Sequence, residues 1–200
     1  MFEVITQDAW SWSCKKLGYD FEIPNADTLQ ELIPKRATSN SAGYDFRMPF
    51  DYSCPAGQPI KIPTGIKWNA NNTYLKVNVR HFNHSAETTS LVLEDDDFKE
   101  SIFIKTIGLE LFNPILMLYP RSSLAFKYGF KLLNTTGVID ADYYNNETNQ
   151  GNIIVGFTVD KPLELKRGDK FCQGVLLPFA YCLDEIPVNT GRSGGIGSTN

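Results

Sequence analysis

Histidine is nearly absent from the 200 residues, at two, and cysteine is scarce, at four. Cys14, Cys54, Cys172 and Cys182 are scattered, with no C-x-x-C pair and no histidine beside them. A zinc site needs tighter ligand spacing and a disulfide scaffold a denser framework, so neither is expected. The thiols are expected to be free, reduced and mostly packed, as suits a reducing cytoplasm. Positive charge is also in short supply: 19 Lys and Arg against 23 Asp and Glu leave a net charge of −4. That balance argues against a nucleic-acid coat or a polybasic membrane binder, which need clustered cations. No apolar run approaches the roughly 18–20 residues of a spanning helix, and the mean hydropathy is −0.24. The opening MFEVITQDAWSWSCKK lacks the basic start and unbroken apolar stretch of a signal peptide. Asn-x-Ser/Thr triplets such as Asn71-Asn72-Thr73 carry no meaning without a secretory route. Internal repeats and low-complexity linkers are missing too. What is present is an ordinary soluble composition, 42% hydrophobic and 21% charged, at one-domain length.

Strand-forming segments dominate. Short β-branched and aromatic runs recur at 59–68, 74–79, 101–107, 114–119, 152–159 and 171–178, separated by Gly, Pro, Asn and Asp clusters. That rhythm predicts an all-β sandwich or barrel rather than an alternating βαβ chain. Helical periodicity is confined to the first 20 residues, to 28–33 with Asp27 as cap, and to 123–128 after the turn at Pro120. The acidic run Glu94-Asp95-Asp96-Asp97 reads as a solvated loop, because four consecutive side chains do not converge on one ion.

Three segments carry chemistry locally, each with a plain alternative. In Gly137-Val138-Ile139-Asp140-Ala141-Asp142-Tyr143, strand alternation would put Asp140 and Asp142 on one face and Ile139, Ala141 and Tyr143 on the other. A carboxylate at a hairpin mouth can serve as general base, or simply form the turn. Pro120-Arg121-Ser122-Ser123-Leu124-Ala125 offers a guanidinium, two hydroxyls and helix-start N–H groups to one anion, or is an ordinary helix cap. Arg192-Ser193-Gly194-Gly195-Ile196-Gly197-Ser198-Thr199 is a glycine-rich phosphate cradle or a loose tail.

Taken in order, Ser41-Ala42-Gly43-Tyr44-Asp45, residues 120–125, residues 134–143, Arg167-Gly168-Asp169-Lys170-Phe171-Cys172-Gln173 and the glycine-rich tail resemble the five motifs of the homotrimeric dUTP diphosphatase (dUTPase) family. The resemblance covers roughly residues 31–200. It implies a jelly-roll-like β-barrel with a short helix, assembled as a homotrimer whose sites draw motifs from different subunits. It implies hydrolysis of dUTP to dUMP and pyrophosphate, with Mg²⁺ bound mainly through the substrate phosphates. Residue by residue, Asp140 matches the base that orients the attacking water. Arg121, Ser122, Ser123 and Gln173 match phosphate contacts. Asn134 matches the reader of the uracil edge, with Val138 and Ile139 in the receiving hairpin. Tyr143 matches the ring under the deoxyribose, and Asp45 a carboxylate meeting the metal's water shell. Arg192, Gly195, Ile196, Gly197, Ser198 and Thr199 match an arm that closes over the γ-phosphate and the base.

The chain departs from that pattern at four places. Ile196 stands where the family usually has phenylalanine, Ser123 where many members have glycine, and Tyr144-Asn145-Asn146 where Arg-Gly or Gln-Gly is common. The fourth is an insertion at about 71–113, whose alternating apolar residues predict an added hairpin and a possible protein-partner site. Within it the His81-x-x-His84 spacing suits a metal pair on a helix, which the strand-like context does not favour. The resulting division is an N-terminal extension (1–30), the barrel (31–190) and the arm (191–200). The rival readings are a related dCTP deaminase or bifunctional nucleotide enzyme, which would carry a catalytic glutamate near the third motif, and a dual-role interaction protein acting through the insertion.

Overall fold

The computed structural model describes residues 1–21, 25–72, 113–179, 182 and 186. The expected strands at 74–79 and 101–107, both histidines, the acidic run and the 191–200 arm lie outside the described residues.

The first residues are woven into the body of the protein. Strand β1 (Phe2–Val4) pairs antiparallel with β6 (Ile66–Trp68). Helix α1 (Gln7–Leu17) follows, started by Thr6, whose hydroxyl accepts from the Ala9 N–H, and stopped by Gly18 in the left-handed region. Its buried face is Ala9, Trp10, Ser13 and Cys14, of which Ala9, Trp10 and Cys14 pack with Ile5 in a small cluster of their own. Helix α2 (Ala26–Glu31) begins earlier than the sequence suggests. Asn25, not Asp27, is the cap, its Oδ1 accepting from the Thr28 N–H at 2.8 Å. Asp27 sits inside the first turn, where its charge suits the helix dipole.

The apolar run at 59–68 divides into β5 (Ile60–Pro63) and β6. The break is at Gly65, at φ +76°, where a Cβ would come within 3.0 Å of Leu29 and 3.1 Å of Trp10. Only glycine lets the chain turn there and let α1 and α2 close over it.

Among the described residues the strands pair, always antiparallel, into four sheets. The largest has the order β2 (Lys35–Arg36), β3 (Gly43–Arg47), β12 (Lys170–Phe179), β7 (Asn113–Pro120), β9 (Gly137–Ile139). A second runs β5, β10 (Ile154–Thr158), β8 (Lys131–Leu132), while β4 (Tyr52–Cys54) pairs β11 (Leu163–Leu165). Phe46, Leu116, Leu118 and Phe171 from the large sheet share one core with Ile62, Val155 and Phe157 from the second. Full burial of each such side chain stabilises the fold by roughly 1.5–3 kcal/mol. Phe171 and Cys172 are adjacent yet both fully buried, which plain alternation forbids. A register shift between Lys170 and Cys172 against β3 accounts for it, and re-aims Lys170.

Candidate active site

β12 lies between β3 and β7 and brings three of the five motifs together. Gln173 stands opposite Asp45 on one side and Tyr119 on the other. Asp45 is buried, and each of its oxygens meets a cation: Oδ1 meets Arg121 Nε at 3.1 Å and Oδ2 meets Lys170 Nζ at 2.7 Å. Arg121 also donates to the Lys170 carbonyl at 3.3 Å, and Gln173 Nε2 donates to the Pro120 carbonyl at 3.1 Å. The turn is therefore pinned by its side chain and by its backbone. Arg121 is the N-cap residue of α3 (Ser122–Tyr128), one residue longer than the sequence suggests, with Ser122 and Ser123 exposed in its first turn. A cleft of about 550 Å³ opens beside this turn, with Arg47, Arg121, Lys127 and Lys170 in its wall, against the carboxylates Glu164 and Asp169. The four cations outnumber the two carboxylates, a balance that favours an anion.

The sequence resemblance places Asp45 beside a metal's water shell; in the structure its two oxygens meet Arg121 and Lys170, one each. Among the described residues no three His, Cys, Asp or Glu side chains converge. They do not fit an inner-sphere metal site. A nucleophilic thiol does not fit either: burial pushes Cys172, beside Gln173, up to about 12.

A different pocket, of about 220 Å³, forms at the connection between β8 and β9, which belong to different sheets, so the hairpin expected there is a crossing from one sheet to the other. Leu132, Asn134, Gly137, Val138, Ile139 and Val155 are among its lining residues. The wall is largely apolar, Val138 is 51% exposed at the mouth, and β9 is the outer strand of the large sheet. An edge strand offers its outer N–H and C=O groups for pairing, so the pocket can hold a flat, hydrogen-bonding heterocycle.

Past Ile139 the strand ends, and the expected alternation ends with it. Asp140 leads into a 3-10 turn (Ala141–Tyr143). Asp140 is half-buried, and its side chain does not cap the turn. Tyr143 is buried, its hydroxyl donating to the Asn152 carbonyl at 3.0 Å. A buried cluster of Asn146, Asn149 and Asn152, which local sequence reasoning passed over, backs this ring. The run Asn145-Asn146-Glu147-Thr148-Asn149-Gln150-Gly151-Asn152 was its only signal. Lys170 was missed for a similar reason, since the bulge that aims it at Asp45 leaves no trace in local pattern.

The register separates the two pockets. Leu116 faces Ile139 and Leu118 faces Gly137, so β9 runs away from the Arg121 end of β7. Asp140 thus lies near Ile115, some six residues from Arg121, a distance of about 20 Å at ~3.3 Å per residue. One chain's Asp140 and Arg121 do not reach the same phosphorus atom. Arg192, Gly195, Ile196, Gly197, Ser198 and Thr199 lie outside the described residues.

No described helix is long and apolar enough to cross a membrane. No protein-family model matches the chain. Curated relatives do. The deoxyuridine 5′-triphosphate nucleotidohydrolase of Lactococcus lactis is 32% identical over 171 residues, covering 84% of this chain and 87% of that protein. The protein of the same name from Desulfitobacterium hafniense is 30% identical over 176 residues, covering 84% and 86%. The crystal structure of a dUTPase from Streptococcus mutans superposes with a TM-score of 0.53 at 28% identity, over 90% of this chain and 97% of that one. By this similarity in sequence and in its jelly-roll-like β fold, the chain belongs to the dUTPase family.

Proposed function

We propose that this protein is a dUTP diphosphatase that converts dUTP and water to dUMP and pyrophosphate, and that it works as a homotrimer. The observation that carries the proposal is the separation along β7 of an apolar pocket between β8 and β9, with a carboxylate following β9, from a cationic turn beside a second cleft. Neither half suffices alone, and a second copy of the chain supplies the missing half.

In this reading the uracil enters the 132–139 pocket, with Asn134 and the outer edge of β9 reading its polar rim and Val138 and Ile139 covering its faces. Tyr143 packs under the deoxyribose. Asp140 from the same chain accepts a proton from a water as its oxygen attacks the α-phosphorus, and pyrophosphate leaves. Arg121, Ser122, Ser123 and Gln173 of a neighbouring copy hold the phosphates, and positioning with charge neutralisation lowers the barrier. Magnesium belongs to the substrate, carried on the triphosphate, where Mg²⁺ keeps most of its own waters. Asp45 then serves by holding Arg121 in place. The arm with Arg192, Gly195, Ile196, Gly197, Ser198 and Thr199 closes over the γ-phosphate and base, its ordering cost offset by charge-assisted contacts. Three cysteines buried as free thiols suit a cytoplasmic setting.

Product analysis after incubation with dUTP, dCTP and UTP tests the activity: dUMP and pyrophosphate from dUTP alone are expected. Asp140→Asn should bind nucleotide and lose roughly 10²–10⁴-fold in turnover. Mixing it with an inactive Arg121→Ala chain should restore part of the activity, because some sites then combine an intact Asp140 with an intact Arg121. No restoration on co-assembly would exclude the shared site.

A further inference from the structure

Tyr143 is gripped at both ends by the asparagine cluster behind it. Its hydroxyl accepts from Asn149 Nδ2 at 2.9 Å as well as donating to the Asn152 carbonyl, and its own carbonyl accepts from Asn146 Nδ2 at 2.9 Å. The asparagines are locked in turn. Asn149 Oδ1 accepts from Asn146 Nδ2 at 2.8 Å and from the Gly151 N–H at 3.1 Å. Asn152 Oδ1 accepts from the Gly65 N–H at 3.0 Å, and its Nδ2 donates to Ser13 Oγ at 2.9 Å. Ser13 donates onward to the Ala9 carbonyl inside α1. Asn146, Asn149, Asn152 and Ser13 are at most 5% exposed, so water does not compete for these bonds.

Loop closure does not need the donor on the phenol. The backbone closes the loop by itself: the Asn145 N–H donates to the Gln150 carbonyl, and the Gln150 N–H to the Asn146 carbonyl, each at 3.1 Å. The loop is also threaded tightly past the Tyr143 backbone, since Gly151, at φ +81°, would bring a Cβ to 2.6 Å from the Tyr143 carbonyl. A side-chain amide held on two sides and aimed at a phenol oxygen fixes where the ring lies. Excluding a single hydroxyl from a sugar is a matter of sub-ångström clearance, to which ring placement is the direct input.

We infer that Asn149, backed by Asn146 and by the Asn152–Ser13 link to α1, is a positioning residue that sets the discrimination against a 2′-hydroxyl by fixing the Tyr143 ring. The inference rests on the reading of Tyr143 as the sugar-packing ring. It gives the N-terminal helix a part in substrate selection although it carries no motif residue.

The test is steady-state kcat/KM for dUTP and for UTP. The variants are Asn149→Ala, Ser13→Ala, Tyr143→Phe, Tyr143→Ala and the Asn149→Ala/Tyr143→Phe double. Asn149→Ala should lower the dUTP-to-UTP ratio about 10-fold or more, with Ser13→Ala shifting it the same way by less. Tyr143→Phe removes the shared hydroxyl, so the double variant should match the single ones rather than multiply them. A ratio unchanged in Asn149→Ala, or effects that multiply, would overturn the inference. Tyr143→Ala separates the two failures: an unchanged ratio there sinks the reading of Tyr143, whereas a changed ratio there beside an unchanged Asn149→Ala sinks only the positioning role. If Asn149→Ala does not fold, Ser13→Ala and Tyr143→Phe decide, and an unchanged ratio in both overturns the inference.

Discussion

Asp45→Asn probes the joint that holds the cationic turn. The Asp45 side chain is 8% exposed, while its partners Arg121 and Lys170 are 30% and 29% exposed. Breaking a fully buried ion pair costs about 3–5 kcal/mol, because the abandoned charge stays out of water. An exposed pair contributes about 0–1 kcal/mol. Here both cations keep partial access to solvent, and asparagine retains one acceptor oxygen while turning an NH₂ group toward the other cation. The intermediate case comes to about 2 kcal/mol. In a chain of this size that corresponds to a melting point lowered by about 4–8 °C at fixed protein concentration. The kinetic loss is separate. Arg121 keeps its bond to the Lys170 carbonyl but loses the anchor at Nε, so turnover should fall by about 10–100-fold with a smaller change in KM. Thermal melts and initial rates on the same preparations measure both. Arg121→Lys serves as the control: it keeps the charge on Asp45 but not the fork, and should lose turnover with less loss of melting temperature. An Asp45→Asn protein that melts and turns over like the parent would refute the view that Asp45 holds the turn.

Two further predictions concern protonation. Burial pushes the thiols of Cys14 and Cys54 up to about 11 and of Cys172 to about 12, whereas Cys182 is exposed. Iodoacetamide near pH 8 should therefore give one rapid adduct in the native protein and four after denaturation; by intact mass, a second adduct in the same interval would contradict the packing. Burial pushes the Glu3 carboxyl up, but hydrogen bonds from Tyr144 and Asn69 and the charge of Lys67 outweigh it, leaving the carboxyl below its ordinary value of 4.5. A carboxyl lowered in the folded state contributes stability that is present above the unfolded value and lost as pH falls through the folded one. Glu3→Gln should thus lower the melting point at neutral pH and converge with the parent in acid, and parallel melting curves across that range would count against the assignment.

Local chemistry made much of this protein legible before any folding. The Pro120–Arg121–Ser122 turn, the helix after it and the strands at 114–119, 152–159 and 171–178 follow from residues a few positions apart, because turn formers, caps and period-two alternation act over that range. The same local rules read Asp27 as the cap of α2, two residues past Asn25, whose side chain takes that place in the structure. Alternation also predicts that the strand continues past Ile139, since nothing within the segment records that the tertiary fold turns the chain at Asp140. The decisive features are pairings across long sequence separations. Asp45 meets Arg121 and Lys170 because β3, β12 and β7 lie side by side in one register, and a period of two specifies a face without specifying a neighbour. The opposite directions of β7 and β9 put Asp140 and Arg121 of one chain out of each other's reach, a separation that exists only once the strands pair. The asparagines behind Tyr143 looked like loop residues, and burial against α1 and Gly65 made them a buried hydrogen-bonded network. Sequence alone determined which chemical groups this protein carries and in what order, because those depend on residue type and near spacing. Tertiary structure decided which groups meet, because that depends on register and burial.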